Sequence, residues 1–149
     1  MAAAQRPLAF FEAGRAVAGW HRGRPLAGVS VETSDAVVAP ASPRVGLFIT
    51  LAGLAAEARC RGFVFQGMAA EAPTRWADML AKAALVEAED SRRTVLVDAT
   101  YTEVRDMLNT RKVWAAVNAV AGALLARQSL AADELRTIIE RTAGDPQRS

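Results

Sequence analysis

The stretch Pro7 to Trp20, PLAFFEAGRAVAGW, decides how the fold is read. Proline is well suited to the first position of a helix, where its fixed φ is already helical and its missing N–H is not needed. From that point Leu8, Phe11, Val17 and Trp20 recur at near-helical spacing, and Gly23-Arg24-Pro25 stops the pattern. Outward from this helix, Leu26 to Glu32 (LAGVSVE) alternates in character and carries β-branched residues, which predicts a strand. Ser34 to Pro43 holds two prolines and reads as a loop or short hairpin.

Helical patterns fill the remainder. A second helix is expected from Val45 to Arg61, ended by Gly62. Phe63 to Pro73, punctuated by Gly67 and Pro73, reads as an irregular connection. Thr74 is expected to cap a third helix that runs to Glu89, with Trp76, Leu80, Ala83 and Ala84 facing inward. Further helices are expected over Val95 to Leu108, Val113 to Arg127 and Ala132 to Arg141, before a polar tail, Gly144 to Ser149, that frays. The expectation is a mainly α (α+β) fold: one domain over residues 1–149, about six helices, and a small β-sheet or hairpin after helix 1.

Composition removes much chemistry. The chain has 149 residues, enough for one core, and only one histidine (His21) and one cysteine (Cys60). No Cys/His zinc site and no intrachain disulfide can be built from that pair. Eighteen basic residues face 16 acidic ones, interspersed along the chain, so no electrostatic footprint for nucleic acid stands out. Uncharged runs such as Val45 to Ala56 fall short of the roughly 20 residues needed to span a bilayer. Met1 to Pro7 lacks the basic-then-apolar order of a signal peptide, so a cytoplasmic protein with no membrane span is expected.

The specific motif lies inside the first helix. Phe11-Glu12-Ala13-Gly14-Arg15, followed by Ala16 and Val17, resembles the HEAGH zinc helix of the peptidase domain of FtsH-type AAA metalloproteases. In such a helix two histidines at i and i+4 bind the metal, and the glutamate between them polarises the attacking water. The glutamate is kept as Glu12, while the ligand positions are Phe11 and Arg15. Phe has no lone pair to offer, and Arg is permanently cationic.

The resemblance runs on in order along most of the chain. Phe48 to Gly62 (FITLAGLAAEARCRG) is similar to the family's second signature at Ala52-Gly53 and Ala55-Ala56-Glu57. Ala121 to Ile139 resembles its closing helical pair. The family's third ligand, a carboxylate, corresponds to Asp78 by position in the third helix, though Lys82 stands where an alanine is expected. Asp78 has two readings, a descendant of that ligand or an ordinary solvated helix acid.

Loss of both histidines implies a peptidase-like protein without its metal. Glu12 would then be a vestigial general base, and Arg15, at i+3, could fill the vacated zinc position by pairing with it; a weak solvent-exposed pair is the competing reading. His21 at a helix end fits a dipole partner, and Cys60 a small core filler. Phe10, Phe11, Trp20, Trp76 and Trp114 read as core aromatics.

Three functions follow from the resemblance. The first is a non-catalytic module for a peptide or protein partner, with Gly28, Val29, Ser30 and Val31 as the strand edge to which a peptide adds and no cofactor required. The second is a residual zinc metallopeptidase that uses Glu12 with an unrecognised ligand set. The third is a structural domain, assembling as a homo-oligomer. The family's proteases work with an ATPase domain, but the chain has no G-x-x-x-x-G-K-[ST] motif, so ATP dependence would come from another protein.

Overall fold

A computed structural model describes residues 2–31 and 42–144. Two helices form its centre. The first, α1 (Ala2–His21), is buried from Ala9 to Trp20 except at Arg15. The second, α2 (Pro43–Arg61), is buried without interruption from Gly46 to Ala58. A helix apolar on nearly all sides must be covered on all sides, and the other elements do this.

The two helices approach closely because small residues line their contact. A Cβ on Gly14 would lie 2.7 Å from the Ala52 carbonyl oxygen and 2.8 Å from the Ala56 Cβ. A Cβ on Gly53 would lie 2.8 Å from Arg15 Cγ and 2.9 Å from the Phe11 ring. Both glycines are thus required by space, with α1 and α2 meeting across them.

The helix ends follow recognisable rules. Pro43 occupies the first turn of α2, and the Ser42 hydroxyl accepts from the Val45 N–H at 3.2 Å. Gly62 closes α2 in the left-handed conformation, φ 76°, as its sequence position predicts. By contrast α1 starts at Ala2 and takes Pro7 inside it. The alanines at 2–4 are strong helix formers, so the helix extends ahead of the proline at the expense of one backbone hydrogen bond.

The expected irregular connection over 63–73 is more ordered than its composition suggests. It contains a 3₁₀ turn (Phe65–Gly67) and a one-turn helix, α3 (Met68–Glu71). The next helix, α4 (Pro73–Val86), begins on its proline, so Thr74 lies within it and does not cap it. Its inward face is also shifted from expectation. Met79 and Ala83 are fully buried and Trp76 is half-buried, while Leu80 and Ala84 are exposed. A one-residue change of register turns a helical side chain through about 100°, which separates Met79 from Leu80.

Helices α5 (Asp90–Leu108), α6 (Arg111–Arg127) and α7 (Ala132–Ala143) follow, with α5 beginning five residues before the expected Val95. Packing runs outward from the central pair: α6 covers α1, α4 and α5 cover α2, and α7 covers α6. Phe65 stacks on Tyr101 at 4.2 Å and meets Trp76 at 5.0 Å, tying the 3₁₀ turn to α4 and α5. Phe10 meets Trp114 at 5.9 Å between α1 and α6.

The β element is a two-stranded antiparallel sheet of β1 (Val29–Ser30) and β2 (Ser129–Leu130). Val29 pairs with Leu130 and Ser30 with Ser129, and the Val31 N–H donates to the Gln128 carbonyl at 3.2 Å. The small sheet is therefore made by distant parts of the chain. The fold is mainly α, with seven α-helices among the described residues. The expected strand end at Glu32, the loop over 34–41 and the tail residues 145–149 lie outside the described residues. Among the described residues, no helix is long and apolar enough to cross a membrane.

Candidate functional site

The candidate site lies on α1 where it faces α2 and α4. Glu12 is fully buried, and the neighbouring Phe11 is 4% exposed. Arg15, one turn on, is the only residue between Ala9 and Trp20 that is not buried. Its Nη1 donates to Glu12 Oε1 at 3.2 Å and lies 3.4 Å from Oε2. The Arg15 side chain is 15% exposed. This is not the solvent-exposed helical pair of the competing reading: the carboxylate is wholly removed from water and the guanidinium nearly so. A carboxylate kept in such a place needs a positive partner, and Arg15 supplies one.

Phe11 fills the space beside the pair. The Arg15 guanidinium carbon is 5.7 Å from its ring centroid, and that of Arg75, from α4, is 5.1 Å away. Both distances are within the range of cation–π attraction. The ring also abuts Gly53 of α2, so a side chain there would displace either Phe11 or Arg15.

A second buried carboxylate lies nearby in α2. Glu57 is fully buried and accepts three hydrogen bonds from two arginines. Arg75 approaches with two nitrogens, Nε to Oε1 at 2.9 Å and Nη2 to Oε2 at 2.6 Å, and Arg61 Nε meets Oε2 at 2.9 Å. Arg61 follows Glu57 by four residues and is readable as a helical pair. Arg75 comes from α4, and no local signal in the sequence connects it to Glu57.

No protein-family model matches the chain, and no curated protein matches it.

The zinc site that the resemblance implies does not fit these residues. Phe11 has no donor atom, and Arg15 is a permanent cation that cannot act as a ligand. Asp78 is exposed and bonded to Lys82 at 2.6 Å, the arrangement of a solvated helix acid. Among the described residues, no group of three or more His, Cys, Asp or Glu is placed to hold a metal ion.

The other singled-out residues lie away from this pair. His21 ends α1 with much of its surface open to solvent; partial burial of its ring, and secondarily the Arg22 charge, lower its pKa from 6.5. Cys60 packs half-buried against the core. In the strand segment Gly28 is exposed, Val29 and Val31 are buried, and one edge of β1 is committed to β2. A Cβ on Gly28 would lie 3.1 Å from the Leu130 carbonyl oxygen, so this residue serves the close approach of the two strands.

Proposed function

We propose that the chain is a peptidase-like protein, related to the FtsH-type zinc peptidase domain, that has lost its metal and acts as a peptide- or protein-interaction module. The observation that carries the reading is the Arg15–Glu12 pair, 3.2 Å apart on a fully buried carboxylate. In a working HExxH helix the glutamate must reach a metal-bound water. Here the same glutamate is occupied by a cation from the position of the second ligand. Phe11, at the position of the first, closes the space with an apolar ring.

A module of this kind holds peptides through shape and backbone hydrogen bonds, without bond cleavage. The segment Gly28 to Val31 is the element we assign to such β-addition. Because β2 takes one edge of β1, an added strand is confined to the other.

A peptidase assay in zinc-containing buffer, run on the native chain and on Glu12→Gln, tests the reading. The expected result is no hydrolysis by either protein. Zinc-dependent hydrolysis by the native chain that disappears in Glu12→Gln would overturn it and establish a working metallopeptidase.

A further inference from the structure

Glu57 is over-neutralised. Two guanidinium groups converge on one carboxylate, and Arg61 Nε and Arg75 Nη2 meet at the same oxygen, Oε2, at 2.9 and 2.6 Å. The carboxylate is fully buried, while the Arg61 and Arg75 side chains are 26% and 29% exposed. One anion thus holds two cations at the protein surface, so these three groups together carry an excess of one positive charge.

The unused donors are defined by this geometry. A guanidinium carries five N–H groups in a rigid plane. Arg75 uses its Nε and Nη2 edge on Glu57, so its Nη1 has no acceptor among the described residues. Among the described residues Arg61 uses only Nε, which leaves Nη1 and Nη2. Buried Glu57 thereby orients both arginines before any ligand arrives. Preorganised forks of this type suit planar oxyanions, which they bind with two parallel hydrogen bonds.

We infer that Arg61 and Arg75, held by Glu57, form a binding site for a single carboxylate group supplied by a peptide. A carboxylate cancels the one excess charge, whereas a phosphate dianion would reverse it in a partly desolvated place. The carboxylate source, a chain end or an acidic side chain, rests on the interaction-module reading; the site itself does not.

The test follows the Nε–Hε resonances of Arg61 and Arg75 by NMR on the full chain at constant ionic strength. The probes are N-acetylglycine, which presents a chain-end carboxylate, N-acetylglutamic acid α-amide, which presents a side-chain carboxylate, and inorganic phosphate. The expected result is a saturable shift with a carboxylate probe, the tighter probe naming the source. Binding should weaken about tenfold in Arg61→Gln, the loss of a charged hydrogen bond. That variant leaves the two-nitrogen contact of Arg75 with Glu57 in place, so the fold is retained. Shifts that never saturate, tighter binding of phosphate, or an unchanged affinity in Arg61→Gln would each overturn the site. The peptidase assay is indifferent to these outcomes, so the two readings fail separately.

Discussion

Arg15 places its guanidinium 3.2 Å from the Glu12 carboxylate, one turn apart on a helix that is otherwise buried from Ala9 to Trp20. Glu12 has no exposed surface, so the pair is not one of the weak surface bridges common along helices. Its geometry makes the fold depend on a charge at a position where the motif it resembles carries a metal ligand. The first prediction follows directly. Arg15→Met should destabilise the protein by about 3 kcal/mol, the low end for breaking a buried pair because the guanidinium keeps some exposure. Urea unfolding measures this. Adding Glu12→Gln to that variant should recover part of the loss, since no buried charge then remains at this position.

Gly14, in the contact between α1 and α2, and Gly122, on the surface of α6, predict opposite outcomes for substitution by alanine. In Gly14→Ala the new Cβ would meet the Ala52 carbonyl oxygen at 2.7 Å, and backbone cannot move aside as a side-chain tip can. We expect a loss of about 1–3 kcal/mol, the cost of overpacking a filled core. Gly122 lies within α6, is exposed and has nothing within 4 Å of its Cβ position. Gly122→Ala should therefore stabilise by about 0.5–1 kcal/mol through helix propensity. Thermal unfolding of the two variants checks both signs.

His21 predicts a pH dependence. Burial of the ring, with a smaller contribution from the Arg22 charge, lowers its pKa from 6.5. A base with a lowered native pKa takes up its proton more readily in the unfolded chain. Its contribution to stability is therefore complete above about pH 6.5 and is lost as pH falls through the native pKa. The exposure of the residue keeps the effect small. His21→Gln should flatten the stability profile below pH 6.5, and an NMR titration of the ring should give a midpoint below the value of an unfolded control.

The parts of the fold that were legible in the sequence are those set by neighbours along the chain. Apolar spacing marks α1, and Gly62 ends α2 because only a residue tolerant of positive φ fits there. The closeness of Phe11, Glu12 and Arg15 is legible because one helix carries all three. What escaped the sequence depends on distant partners. Ser129 and Leu130 form a strand only because Val29 and Ser30 lie against them. Arg75 reaches Glu57 only because α4 packs on α2. The sequence does not choose the register of α4, because Leu80 and Met79 are equally apolar and packing decides that Met79 is the buried one.

On the proposed function, the Arg15 cation stands in for a metal ion. Calorimetric titration of the native chain with zinc at neutral pH tests it most directly. The account predicts no saturable binding, because Phe11 and Arg15 provide no ligand and Asp78 is engaged by Lys82. Tight, saturable binding of one zinc ion per chain would contradict it.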